Sequence, residues 1–312
     1  MYRRKSFGKT IVHRWEGNPL IGIDDLDFKC SDIRNAGAVR HNGEVLLLVT
    51  IEHLSGTQCI HLARTGNGRR FHVDKTPFLS PSTEPPYRQH EYRGVLDARV
   101  TFINGAYYIM YLAMGEYGTR FALAKTEDFS SVERVGIISE PETKAGVLFP
   151  VKIRDRYARL ERPSDGSIWL SYSDDLVHWG GSEVVLSPRP GFWDTSRVGA
   201  GPPLILCDPG WLLVYYSVKN TSAGPLYRLG AALLDKEDPA KIIERCNIPV
   251  LSPRETYERI GDIPNLVFST GMLRDEDGTI TIYYGASDSV ICIATTTTDK
   301  IVYECTKSKE EF

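Results

Sequence analysis

The sequence contains no run of about 18 apolar residues, the length a helix needs to cross a bilayer, so no membrane span is expected. It has no surplus of either charge. Its 37 Lys and Arg against 40 Asp and Glu leave a net charge of −3, which argues against a general nucleic-acid binder. Cysteine is present but in no ligating pattern. Cys30, Cys59, Cys207, Cys246, Cys292 and Cys305 include no C-x-x-C pair and have no adjacent His, so no zinc site is expected, and buried free thiols are expected in place of disulfides. A G-x-G-x-x-G after a strand, a P-loop, H-E-x-x-H and G-x-S-x-G are all missing, which leaves nucleotide, zinc-protease and serine-hydrolase chemistry without a motif. The basic start, MYRRKSFGKT, is followed by no apolar h-region; no secretory signal is visible and a cytoplasmic location is expected.

Helical periodicity is scarce as well. In its place stand short aromatic or β-branched runs closed by Gly, Asn, Asp or Pro, fed by 16 Tyr, 11 Phe and 5 Trp, and these predict an all-β fold. The runs recur. Gly43-EVLLLVTIEH, Gly105-AYYIMYLAM, Arg156-YARLERP, Gly210-WLLVYYSVKN and Gly278-TITIYYGASD each open on a turn residue or a charge. Each is followed by a second strand: Cys59-IHLARTGNG, Arg120-FALAKTEDF, Ser167-IWLSYSDDL, Tyr227-RLGAALLDKED and Val290-ICIATTTTD, giving five hairpins. Small residues within these second strands (Ala63, Ala124, Ser171, Ala231, Ala294) recur every 47 to 63 residues. That period predicts a five-bladed β-propeller, with two β-sandwiches as the alternative. The whole chain of 312 residues is then one domain, and the segment His13-RWEGNPLIG completes a blade with the C-terminal strands.

A propeller draws distant residues to one axis, so polar residues at strand ends become site candidates. Asp97 lies in Gly94-VLDARV, a half-apolar setting that suits a proton donor; the competing reading is a turn carboxylate that caps a strand or pairs with Arg99. Arg162 and Arg197 read equally as ligand cations or as surface ion pairs.

Taken together, Glu16-GNPLI, Asn35-AGAV, Gly94-VLDARVT, Leu148-FP, Ile168-WLSYSDDLVHWG, Trp193-DTSRVGAGPP, Tyr227-RLGAALLDKEDPAKI, Gly261-DIPNLVF and Tyr283-YGASDSVICIAT make nearly the whole chain resemble the inverting mannoside phosphorylases of glycoside hydrolase family 130. The resemblance implies a five-bladed propeller and phosphorolysis of β-mannosides to α-mannose 1-phosphate. Only one catalytic carboxyl is then needed, because phosphate takes the place of a base-activated water. By the family's motifs Asp97 is the general acid, acting through a sugar hydroxyl. Asn35 and Asp288 bind the reactive mannose, and Lys144, Arg162, Arg197, Tyr216 and Tyr227 hold phosphate. No metal or organic cofactor is implied; the partners are a β-manno-oligosaccharide and phosphate, with neither nucleic acid nor membrane, and a homo-oligomer is the family's habit.

The chain departs from the family in places. The usual L-H-R-P is Leu160-Glu161-Arg162-Pro163, the usual Y-H-G-V is Tyr215-Tyr216-Ser217-Val218, E-D-P-R is Leu96-Asp97-Ala98-Arg99, and Thr50 replaces a mannose-holding arginine. Some family members are hydrolases, and for that activity Glu161 is the candidate base, though on a strand it faces away from Arg162 and could be an exposed charge. A non-catalytic glycan-binding propeller is a further alternative. The loops Glu84-Pro85-Pro86-Tyr87 and Lys125-Thr126-Glu127-Asp128-Phe129 most resemble those of the β-1,2-mannoside branch.

Overall fold

In the computed structural model, which describes residues 10–163 and 166–307, the chain is nearly all strand. Five antiparallel meanders follow one another. The first comprises Asp32–His41, Glu44–Glu52, Gln58–Thr65 and His72–Val73; the second Gly94–Ile103, Ala106–Gly115, Gly118–Thr126 and Glu133–Ile137; the third Lys144–Leu148, Tyr157–Arg162, Ile168–Ser173 and Trp179–Leu186. In the fourth, Arg197–Ala200 and Ile205–Cys207 both pair with Gly210–Thr221, which continues into Gly224–Leu234 and Ile242–Arg245. The fifth runs Val267–Arg274, Thr279–Ala286 and Val290–Thr297, and its outer strand is the N-terminal His13–Arg14, pairing His13 with Thr295 and Arg14 with Ala294. A single parallel pair, Gln58 with Gly94, joins the first two meanders into one eight-stranded sheet.

The five predicted hairpins are all formed, as the second and third strands of each meander. Their hydrophobic runs are continuous because both faces are covered: every residue from Val45 to Ile51 is buried, and so is every residue from Gly210 to Val218. Neighbouring sheets packed face to face require apolar side chains on both sides of a strand, which removes the usual alternation. The first strands approach so closely that a side chain would not fit. A Cβ on Gly37 would lie 2.5 Å from the Ala98 carbonyl oxygen, and one on Gly271 would lie 2.3 Å from that of Ala36.

Two features correct the sequence reading. A ten-residue helix, Thr298–Lys307, ends the described chain, with Ile301 and Cys305 buried on one face. Cys305 is disulfide-bonded to Cys246, 59 residues away, while Cys30, Cys59, Cys207 and Cys292 are free thiols. Spacing carried no sign of this bond, since only the docking of the helix against the fourth meander brings the two sulfurs together. No helix among the described residues is long and apolar enough to cross a membrane.

Candidate active site

A cavity of about 300 Å³ opens among the first strands of the meanders. Its wall includes Asn35, Asp97, Lys144, Arg162, Arg197, Tyr216, Tyr227 and Asp288, drawn from all five meanders. The backbone explains how strand residues come to point there. Pairing slips between Arg34 and Ala36, between Leu96 and Arg99, and between Lys144 and Val147. At these bulges Asn35, Asp97 and Ala145 adopt φ of 47°, 58° and 59°. An extra residue in the left-handed region re-aims its side chain out of the sheet, and Asn and Asp tolerate that region better than most residues. Asp288 (φ 54°) follows Ser287 (φ 49°) in the turn between Thr279–Ala286 and Val290–Thr297.

Asp97 is held from three sides. Its carboxylate Oδ1 accepts from Asn35 Nδ2 at 2.7 Å, its backbone N–H donates to Thr50 Oγ1 at 3.0 Å, and its carbonyl accepts from Arg99 Nη1 at 3.0 Å. Thr50, which replaces the expected arginine, is fully buried and acts on the backbone of Asp97. Arg99 bonds the Asp97 carbonyl and forms no ion pair with its carboxylate among the described residues. It is 1% exposed, and its Nε and Nη2 reach the carbonyls of Gly201 (2.8 Å) and Ala200 (3.4 Å) on the fourth meander. Burial lowers its pKa, opposed by the charge of Asp97. Asp288 is also buried, and that burial, reinforced by the negative charge of Asp97, pushes its pKa up to about 7.

The cations gather opposite. Arg162 Nε donates to Tyr216 Oη at 3.1 Å and Arg197 Nη2 to Tyr227 Oη at 2.7 Å. Among the described residues no carboxylate lies within ion-pair distance of Lys144, Arg162 or Arg197. Three unneutralised cations converging on a small cavity are costly unless an anion joins them. Tyr216 is buried and packs edge-on against Phe268, their centroids 4.9 Å apart.

Glu161 is not part of this cavity. Nor is this candidate base an exposed charge: at 8% exposure it forms an ion pair with Arg159 at 2.6 Å and accepts from the Ser171 hydroxyl, on the far side of the strand from Arg162. Strand alternation, which predicted the side and sets Arg159 on it two residues earlier, could not predict that the pair is buried. The sequence also passed over Phe268 and the bracing roles of Arg99 and Thr50, because none of these is visible without the neighbouring meanders. Among the described residues no group of three His, Cys, Asp or Glu is placed to hold a metal ion.

A family model described as beta-1,4-mannooligosaccharide phosphorylase matches residues 31–307. The chain belongs to glycoside hydrolase family 130. Among family members, it is 40% identical over 225 residues to the 1,2-beta-oligomannan phosphorylase of Thermoanaerobacter sp. (strain X514), covering 71% of this chain and 72% of that one. It is 31% identical to the beta-1,2-mannobiose phosphorylase of Listeria innocua, over 89% of this chain and 94% of that protein. The solved structure of a beta-1,2-mannobiose phosphorylase from Listeria innocua, in complex with beta-1,2-mannobiose, superposes with a TM-score of 0.86 at 29% identity, covering 95% of this chain and 99% of that one. Family 130 membership thus extends over most of the chain, all of the cavity-lining residues included.

Proposed function

We propose that this chain is an inverting β-mannoside phosphorylase whose substrates are β-1,2-linked manno-oligosaccharides. We read its five meanders as the blades of one propeller forming a single domain. The observation that carries the reading is the convergence, in one cavity, of Asp97 with three cations that no carboxylate among the described residues neutralises. Phosphate supplies the missing anion, and the planar forks of Arg162 and Arg197 suit its oxygens, with Lys144 as a point charge and the Tyr216 and Tyr227 hydroxyls completing the shell.

In this reading Asn35 and Asp288 hold the mannose at the cleaved bond. The Asp97 carboxyl delivers a proton, relayed through a sugar hydroxyl, to the glycosidic oxygen. Phosphate attacks the anomeric carbon from the opposite face as the C–O bond breaks, so the configuration inverts and α-mannose 1-phosphate leaves with the shortened acceptor. Neither metal nor organic cofactor has a step to perform. The β-1,2 preference is supported by the names of the two relatives above and by the loops at residues 84–87 and 125–129. A hydrolase would need a second carboxyl to activate water. Glu161 is bound elsewhere, and the only other carboxyl lining the cavity among the described residues is Asp288, next to the acid itself.

Incubation with β-1,2-mannobiose, with and without inorganic phosphate, tests the proposal. Mannose 1-phosphate formed only when phosphate is present is the expected product; free mannose released at the same rate without phosphate would replace this reading with hydrolysis.

A further inference from the structure

Three meanders share a buried device. In the second, Glu91 accepts from Tyr111 Oη at 2.6 Å and Arg134 Nη2 at 2.8 Å. In the fourth, Asp194 accepts from Tyr215 Oη at 2.8 Å and Arg245 Nη2 at 2.6 Å. In the fifth, Glu258 accepts from Tyr284 Oη at 2.9 Å and Arg14 Nε at 2.7 Å. All three carboxylates have no exposed surface. Each is carried by the connection that enters its meander ahead of the first strand, and it plugs the slot beside the second strand.

The third meander has no such plug. Its incoming connection is only residues 138–143, against residues 74–93 and 246–266 for the second and fifth. The strand position held by Tyr111 and Tyr215, each just before a cavity-lining residue, is here Glu161, and its arginine, Arg159, comes from the same strand. A groove of about 600 Å³ remains between the second and third meanders, walled by Arg120, Arg159, Glu161, Trp169, Trp179 and Ser182. It stands back to back with the catalytic cavity: Arg162 faces one and Glu161 the other, as do Lys144 and Thr143, and Thr119 and Arg120.

The lining indicates what fits. Arg159 is 3% exposed and its Nε has no hydrogen-bond partner; the Nε of Arg120 is likewise buried and unpartnered. Both Nε atoms are closed off from solvent, so an acceptor in the groove reaches them only if the guanidinium groups shift. The charges already balance, Arg120 and Arg159 against Glu140 and Glu161, with His178 at the rim bonded to Asp175 at 2.7 Å, so a charged ligand gains nothing. The half-buried indoles of Trp169 and Trp179 add apolar area, one face of Trp179 being covered by the Arg159 guanidinium 4.3 Å from the ring centroid. A charge-balanced polar wall beside apolar indole surface suits a ring with hydroxyls on its edge and an apolar face, which describes a sugar.

We propose that this groove is a second saccharide site, separate from the catalytic cavity, that takes a neutral manno-oligosaccharide. The choice of mannose rests on the phosphorylase reading; the groove's fitness for sugar does not. The full chain carrying Asp97→Asn, which leaves sugars intact, is titrated with β-1,2-mannotetraose in a calorimeter. A binding component is expected that weakens at least about tenfold, the scale of losing one aromatic anchor, in both Trp169→Ala and Ser182→Trp. Ser182 is exposed on the rim, so tryptophan there fills the groove at the cost of the one hydrogen bond between its hydroxyl and that of the buried Ser171, 2.9 Å away. In the otherwise unaltered chain the same two substitutions should leave β-1,2-mannobiose turnover within roughly twofold, since neither residue lines the catalytic cavity. An isotherm unchanged by both substitutions overturns the proposal, and so does a fall in turnover that parallels the loss of binding. A chain that makes no mannose 1-phosphate counts against phosphorolysis and leaves the titration as readable as before.

Discussion

At the scale of single residues, this site depends on backbone placement as much as on side-chain identity. Asp97 is aimed by a bulge and braced by Asn35, Thr50 and Arg99, so its replacement by Asn should preserve the fold and remove only the proton. Turnover of a β-mannoside is expected to drop by about 100- to 10,000-fold in Asp97→Asn, the usual contribution of a general acid, with an unchanged thermal midpoint. Near-normal turnover would show that the acid lies elsewhere. Asp288 makes a different prediction, because its pKa is raised to about 7 from 3.8 by burial and by the charge of Asp97. Between those values the folded chain holds a proton that the unfolded chain has released, so its contribution to stability falls as pH rises from about 4 to 7, and the cost is complete above 7. Asp288→Asn removes that cost. Its melting temperature should exceed that of the unaltered chain by a few degrees at pH 8 and by little at pH 4; a gain independent of pH would mean that Asp288 is not the titrating group.

Among elements, the strands were the most legible part of the sequence. Turn residues and aromatic or β-branched runs located all five hairpins, because those signals are local and both strands of each hairpin carry them. The bulges at Asn35, Asp97 and Ala145 were not legible, since each exists only as a mismatch with the adjacent strand. Nor was the helix Thr298–Lys307, of whose three buried residues (Thr298, Ile301 and Cys305) only two are apolar, too narrow a stripe to stand out. The outer strand His13–Arg14 is two residues long, yet it closes the fifth meander, and Arg14 supplies the cation for the fully buried Glu258. Arg14→Ala should therefore cost about 3 to 5 kcal/mol in chemical denaturation, the penalty of stranding a buried charge. Arg156→Ala, at an exposed pair with Asp174, should cost under about 1 kcal/mol. Equal costs for the two would place Glu258 in contact with water.

For the whole molecule, the proposed anion site is one that no single meander could supply, since its lining residues come from all five. Phosphate binding to the folded state alone must raise stability by mass action. Millimolar phosphate is expected to raise the melting temperature of the unaltered chain, and the rise should shrink in Arg162→Gln and Arg197→Gln, each of which removes one fork from the cavity. If chloride at matched ionic strength gave the same rise, the effect would be general screening and the anion site would be lost from the account.

The sequence by itself determined the all-β class, the hairpins, the residues of one cavity and the family, because these are written in local patterns and in motifs that need no neighbour to be read. The tertiary structure alone decided the rest. It left Glu161 outside the cavity with Arg159, paired Cys246 with Cys305, and left an open groove where three other meanders are plugged. The disulfide joins residues 59 apart in the chain, and the burial of the Glu161–Arg159 pair and the open groove depend on how adjacent sheets meet. Such encounters are set by the packing of whole elements, and local chemistry carries no record of them.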